Sequence, residues 1–273
     1  MGYKQNLHTH CVYCDGKDTP EEMVLAAIER GFDSLGFSSH SYLEILKDFA
    51  LTEDSAVQYK KEIRSLQDKY KDQIAIYCGL ELDYNTPMDT SGYDYIIGSV
   101  HYMQKDGHDL FVDWDTEKLK YNIENVFNGD SMEYVRYYYS EVAKLANCKN
   151  VDILAHFDLV TKFCERVDYF DRYSEEYLHT AVRSIDALSG SIPFFEVNCG
   201  AISRGYRTEP YPSEQLLSEF RKRDWGVVIT TDCHNKDYLD HWYEKAKVYL
   251  AKNGFTHHHV LTQNGFQKIP LFE

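Results

Sequence analysis

Along the chain, short apolar runs alternate with longer stretches in which apolar residues return every three or four positions. The short runs read as strands: QNLHTHC, SLGFSSH, IAIYCGLELDY, YDYIIGSVHYM, VDILAHFDLV, IPFFEVNCG and GVVITTDCH, in that order. Helical patterns lie between them. TPEEMVLAAIERGF carries Thr19 as N-cap, Pro20 in the first turn and Gly31 as C-cap. Residues 54–71 are polar-rich and helical. SMEYVRYYYSEVAKLAN, SEEYLHTAVRSIDALS, PSEQLLSEFRKRDW (opening on a Pro-Ser cap) and YLDHWYEKAKVYLAKNG complete the helices, and HHHVLTQNGF is a final short strand or edge. Strands alternating with helices predict an α/β fold with a parallel sheet. Seven such strands in 273 residues favour a barrel over an open sheet. No G-x-G-x-x-G follows the first strand, which counts against a dinucleotide-binding sheet. No repeat, linker or composition shift marks a boundary, so residues 1–273 read as a single domain.

An apolar parallel strand should not end in charged groups without a reason, yet these strands do. The first ends in His8-Thr9-His10, the second in His40, the third in Glu81-Leu82-Asp83 and the fourth in His101. The fifth gives His156-Phe157-Asp158, the sixth Glu196 and Asn198, and the seventh Asp232-Cys233-His234. Residues i and i+2 of a strand share a face, and four of these ends carry a pair of His, Asp or Glu at that spacing: His8 with His10, Glu81 with Asp83, His156 with Asp158, and Asp232 with His234. The C-terminal mouth of a barrel is where such ends converge. Imidazoles and carboxylates buried together are costly, and metal ions remove the cost because both groups are metal ligands. The candidate donors are His8, His10, Asp15, His40, Glu81, His101, His156, Asp232 and His234. One four-coordinate zinc needs four donors. Nine, with a bridging carboxylate, can hold two or three divalent ions of Zn, Mn or Fe type. Paired metals suit in-line displacement at phosphorus.

Composition narrows the partners. The formal net charge of −15 disfavours nucleic acid, and an anionic substrate then needs local cations. No run approaches the roughly 18 apolar residues of a membrane span, and MGYKQNLHTH lacks the features of a signal peptide. The seven Cys are scattered through apolar segments, which fits reduced thiols and a cytoplasmic protein. Cys11-x-x-Cys14 has no second pair and sits inside the candidate ligand loop, so it is read as neither redox-active nor a zinc-thiolate site. His257-His258-His259 reads as a solvated strand start, and RYYYSEV as a helix packed under the barrel. The expected partner is a small phosphate monoester, with no nucleic acid and no membrane; oligomeric state is left open.

HTHCVYCDG, GFSSHS, GLELDY, GSVHY, LAHFDLV, FEVNCG and ITTDCH span nearly the whole chain. In that order they resemble the motifs of the polymerase-and-histidinol-phosphatase (PHP) superfamily of metal phosphoesterases. Within it the chain is most similar to the histidinol-phosphate phosphatase branch, whose substrate loop AISRGYRTEPYPS resembles. The resemblance implies a distorted (β/α)7 TIM-like barrel with a trinuclear site. One ion would take His8, His10, Glu81 and Asp232, a second Glu81, His101 and His156, and the third Asp15, His40 and His234. Ser38-Ser39-His40 departs from the family's more common Thr-Asp-His. The implied reaction belongs to histidine biosynthesis. A metal-bridging hydroxide attacks L-histidinol phosphate in line and yields L-histidinol and phosphate, with Glu81, Asp232, His234 and Arg207 at the reacting centre. Arg204 and Arg207 are candidate phosphate clamps, because guanidinium forks match phosphate oxygens, and Arg207 is preferred. Asp158 or Glu209 is the candidate partner of the substrate amine and imidazole. Three other readings stay open. One is a nucleotide or phosphotyrosine phosphatase on the same barrel. Another is an amidohydrolase, although the carboxylated Lys such enzymes place at a strand end is missing, Lys162 lying past the fifth strand. The last is a barrel that keeps metals without catalysis, which the complete ligand set opposes.

Overall fold

Seven strands run parallel around one interior in the computed structural model, which describes residues 3–272. In chain order the strands are β1 (Gln5–Asn6), β2 (Ser34–Phe37), β3 (Ala75–Asp83), β4 (Tyr95–Ser99), β5 (Tyr102–Lys105), β6 (His108–Phe111), β7 (Ile153–Leu154), β8 (Phe194–Asn198), β9 (Gly226–Thr230), β10 (His257–Thr262) and β11 (Gly265–Pro270). The helices are α1 (Pro20–Glu29), α2 (Glu53–Tyr70), α3 (Thr116–Tyr121), α4 (Ser131–Ala143), α5 (Glu175–Leu188), α6 (Gly200–Ser203), α7 (Glu214–Lys222) and α8 (Tyr243–Lys252). The main sheet runs β1-β2-β3-β4-β7-β8-β9, every neighbouring pair parallel. A single Thr9–Cys233 bridge brings its two edges together, so the barrel is nearly closed. No helix among the described residues is long and apolar enough to cross a membrane.

The seam between β1 and β9 explains why the first strand is shorter than its apolar run predicts. Asn6 is fully buried there. Its Oδ1 accepts from the amides of His8 and Thr231, each at 3.2 Å, and its Nδ2 donates to Thr231 Oγ1 at 2.6 Å and Leu239 O at 3.2 Å. One side chain thus does the pairing that a backbone ladder would do, and His8 is released from strand geometry. The expected fifth strand is cut to Ile153–Leu154 for a similar reason: the His156 amide donates to Glu196 Oε1 at 2.7 Å instead of continuing the ladder. In the fourth, the His101 amide donates to Asp83 Oδ2 at 2.8 Å and the chain leaves the sheet.

Two antiparallel hairpins extend beyond the predicted pattern. β5 and β6 pair around Asp106-Gly107, which have φ of 52° and 79°. A two-residue turn with both φ positive is the hairpin turn that Asp-Gly favours. β10 and β11 form the second hairpin, where one strand was expected, and it packs against β9 at the barrel base. Gln5 bonds both backbone groups of Leu261, donating to its carbonyl at 2.8 Å and accepting from its amide at 2.7 Å. The helices follow the sequence reading closely. Thr19 caps α1 in a capping box with Glu22, and Gly31 follows the C-cap Arg30 at φ 67°. Ser213 stands at the N-cap of α7 but makes no cap bond, because its hydroxyl is committed to Asp158.

Inside the barrel, Leu7, Tyr77, Tyr95, Ile97, Ile153, Ala155, Val228 and Leu261 form a closed apolar floor. Tyr95 lies so close to β2 and β3 that a Cβ would fall 2.3 Å from its hydroxyl at Gly36 and 2.2 Å from its ring at Gly79. Its hydroxyl donates to the carbonyls of Leu7 and Phe37, the latter at 3.1 Å, just where two polar strand ends begin.

Candidate metal centre

Above that floor the nine candidate donors come together. Glu81, at the end of β3, is the hub and is 1% exposed. Its Oε2 lies 3.2 Å from His8 Nε2, 3.6 Å from His10 Nε2 and 2.9 Å from His40 Nδ1. Its Oε1 lies 3.4 Å from His101 Nε2 and 3.0 Å from His156 Nε2. Asp232 adds a second carboxylate, with Oδ1 3.2 Å from His10 Nε2 and 3.7 Å from His8 Nε2. Its backbone has φ of 45°, a conformation an ordinary side chain adopts at a cost, and it sits here at the centre of the chemistry. On the outer side Asp15 reaches His234 Nε2 at 3.1 Å and His40 Nε2 at 3.6 Å. Three donor groups have ligand atoms close enough for one ion each: His8, His10 and Asp232; His10, Asp15, His40 and His234; His40, Glu81 and His101. They overlap the three sets implied by the sequence but share His10 and His40 between groups.

The electrostatics fit a cation. His8 Nε2, His10 Nε2 and Glu81 Oε2 are buried and lack a hydrogen-bond partner among the described residues. Burial, then the neighbouring His234 and His40, drives the His10 pKa down to about 3, so its ring is neutral. A neutral imidazole nitrogen facing two carboxylates has the chemistry of a metal ligand. Burial opposes charge on His8 too, but Glu196, Glu81 and Asp232 outweigh it and hold its pKa well above the ordinary value. Glu81 and Asp232 stay ionised. Burial works against both, and the surrounding imidazoles, with Arg204 for Asp232, hold their pKa values well below normal. Carboxylates and imidazoles of this set suit Zn, Mn or Fe.

A further ring of polar groups aims the donors. Glu196 accepts from His8 Nδ1 at 2.9 Å, from Thr230 Oγ1 at 2.8 Å and from Asn198 Nδ2 at 2.8 Å, fixing the tautomer that turns His8 Nε2 towards Glu81. Arg204 donates to Asp232 Oδ2 at 3.1 Å, to the Asp232 carbonyl at 3.1 Å and to His234 Nδ1 at 3.0 Å. Cys14 Sγ lies 3.4 Å from His10 Nδ1, and burial raises its pKa to about 11, so it is a neutral thiol. All seven cysteines are free. His257, His258 and His259 lie on β10, away from the donors.

A cavity of about 300 Å³ opens beside the donors, and Arg204 and Lys162 line it. Here the sequence reading needs correction. Arg207 does not line the cavity: its side chain is fully buried, donating to Thr161 Oγ1, to Ser213 Oγ at 3.0 Å and to Glu209 at 3.3 Å, with Asp158 3.7 Å away. Asp158 is likewise buried, accepting from the backbone and hydroxyl of Ser213. Both tie the 199–213 segment to the stretch after β7, Asp158 and Thr161, rather than face the cavity, and Glu209 pairs with Arg172 at 2.9 Å. Lys162 and Asp113 were missed. Lys162 Nζ donates to Asp113 Oδ2 at 3.0 Å and to its carbonyl at 2.7 Å on the cavity wall. Neither sits in a periodic or motif position, so only the fold brings them to the site.

The PHP domain family model matches residues 6–198. The chain is 25% identical over 272 residues to the probable histidinol-phosphatase of Schizosaccharomyces pombe, spanning 91% of this chain and 86% of that protein. It is 26% identical over 266 residues to the histidinol-phosphatase of Bacillus subtilis, spanning 88% and 97%. Its fold superposes with a TM-score of 0.74 on the crystal structure of histidinol phosphate phosphatase from Lactococcus lactis complexed with Zn, L-histidinol and phosphate; that match is 22% identical and covers 97% of this chain and 99% of that one.

Proposed function

The chain belongs to the PHP domain family, and on that premise we propose that it is a metal-dependent phosphatase that hydrolyses L-histidinol phosphate to L-histidinol and phosphate. The observation that carries the reading is the convergence of nine imidazole and carboxylate donors, five of the imidazoles around Glu81, beside a cavity with two cationic side chains. His8, His10, Asp15, His40, Glu81, His101, His156, Asp232 and His234 would hold divalent ions, which would supply a nucleophile at neutral pH and neutralise phosphoryl charge. Glu81 and Asp232 hold the imidazoles around them by charge, and Glu196 holds His8 from behind. Arg204, braced on Asp232 and His234, presents its guanidinium to the cavity where phosphoryl oxygens accept from it, and Lys162 adds a second cation. A small-molecule substrate suits a cavity of about 300 Å³, and the net charge of −15 supports a partner other than nucleic acid. Seven unpaired thiols support a cytoplasmic location, and residues 1–273 are taken to act as one domain.

Metal content of the purified protein and phosphate release from L-histidinol phosphate test the reading together. Two to three equivalents of Zn, Mn or Fe are expected, with turnover that chelation removes and metal restores. Metal-loaded protein that ignores L-histidinol phosphate while hydrolysing a nucleotide or phosphotyrosine ester would move the substrate assignment to that ester.

A further inference from the structure

The cavity beside the donors has two unlike walls. One carries Arg204 and Lys162. The other comes from two segments beyond the donors: the loop that follows His40, with Leu46 and Phe49, and the stretch leaving β6, with Phe111 and Trp114. Phe49 and Trp114 meet edge to face, their ring centroids 5.7 Å apart and their planes at 85°. The Phe111 ring stands 5.3 Å from that of Trp114. The contact joins the two segments but leaves ring surface open, with Phe49 45% and Trp114 51% exposed. Exposing two large aromatics side by side gives up burial that would stabilise the fold, and such exposure at the rim of a polar site marks a binding surface. The Trp114 segment is anchored to the centre: the Val112 amide donates to the His101 carbonyl at 2.9 Å, and Lys162 holds Asp113.

We propose that Phe49 and Trp114, backed by Leu46 and Phe111, bind the flat ring of the leaving alcohol, the imidazole of histidinol phosphate. The phosphoryl group faces Arg204 and Lys162 across the cavity. The inference rests on the phosphatase reading above. A five-membered heteroaromatic ring stacks on aromatic faces, and gains further attraction when protonated. A phosphate group has no use for such a wall. The pair therefore sets which alcohol is accepted and leaves the reacting atoms alone.

The test compares metal-loaded wild type with Trp114→Ala, Phe49→Ala and the conservative Trp114→Phe. L-Histidinol phosphate is set against O-phosphoethanolamine, which keeps the phosphate and amine but has no ring, measured as substrate or as competitive inhibitor. Trp114→Ala is expected to raise KM for L-histidinol phosphate about tenfold at nearly constant kcat, with Trp114→Phe recovering most of it and the ringless ester shifting less than twofold. A second readout needs no turnover: L-histidinol should change the tryptophan emission of the wild type and not that of Trp114→Phe. Equal losses on both esters, or emission indifferent to L-histidinol, would overturn the aromatic wall while leaving the phosphatase reading standing. If the wild type turns over no L-histidinol phosphate yet its Trp114 emission responds to L-histidinol, the wall stands and the substrate assignment falls.

Discussion

The lower and upper halves of the barrel interior are filled on opposite principles. The floor of Leu7, Tyr77, Tyr95, Ile97, Ile153, Ala155, Val228 and Leu261 is apolar, and the one hydroxyl reaching up from it is satisfied by two backbone carbonyls. The layer above it, hung on the same strands, holds imidazoles and carboxylates with buried atoms that have no hydrogen-bond partner among the described residues. A floor of this kind is complete without help, and its substitutions should act on stability. The mouth is complete only with a cation, and its substitutions should act on metal affinity and rate. Floor and mouth meet within one or two residues along a strand: Leu7 beside His8, Ala155 beside His156. The rigid half thereby positions the reactive half.

The largest effect expected is on the mouth. Glu81→Gln keeps the shape of the hub but removes its charge, and should reduce phosphate release on the order of 10³-fold, the equivalent of about 4 kcal/mol. Added metal should raise the melting temperature of the wild type much more than that of the variant. Phosphate release that survives the substitution would remove the hub from the reaction and, with it, the division between the two halves.

Arg204 and Arg207 sharpen the contrast at close quarters, since only two residues of sequence separate them. Arg204 borders the cavity, so Arg204→Met should lower kcat/KM about 100-fold, with a smaller loss of stability than at Arg207 because His8 and His10 still face Asp232. Arg207 is the buried partner of Asp158, so Arg207→Met strands a buried carboxylate and should cost about 3–5 kcal/mol of stability, read from urea unfolding. A stable Arg207→Met enzyme with a raised KM would return that arginine to the substrate.

The same pair shows where the sequence stops being informative. Strands, helices and polar strand ends were legible because they are periodic: a two-residue repeat on one face, a 3.6-residue repeat on the helices, and H-x-H or D-x-H where strands end. Which of two arginines on one loop turns inward to Thr161 and Asp158 has no periodic signature. The β5–β6 hairpin did carry a local signal, Asp106-Gly107 between alternating residues, and it was masked by the apolar run of the strand before it. Glu196 was visible as a strand-end carboxylate, but its grip on His8 depends on a contact 188 positions away in sequence. Lys162 and Asp113 come from different turns and meet only once the barrel closes.

In the floor, effects should be smaller and confined to stability. Tyr95→Phe leaves two buried carbonyls without their donor and should cost about 1–3 kcal/mol. Gly79→Ala drives a methyl into the Tyr95 ring, which its hydroxyl bonds keep from moving aside, at a cost of about 3 kcal/mol. The folded fraction of each variant should keep nearly normal kcat. A kcat that falls with stability would mean that the floor does more than support the donors.

The smallest effect concerns a histidine at the other end of the barrel from the donors. His258, on β10, is 1% exposed, and its Nδ1 has no partner among the described residues. Burial, then Lys247, lowers its pKa to about 4. The unfolded chain takes up this proton near the ordinary value of about 6.5, while the folded chain refuses it until about 4. His258 therefore withdraws stability as pH falls from about 6.5 towards 4, at up to ~1.4 kcal/mol per pH unit and about 2 kcal/mol by pH 5. Urea midpoints at pH 7 and pH 5 should separate more in the wild type than in His258→Leu, the difference between the two separations being this one group. An equal response in both proteins would show that His258 has an acidic partner and that the base of the barrel is less apolar than it looks.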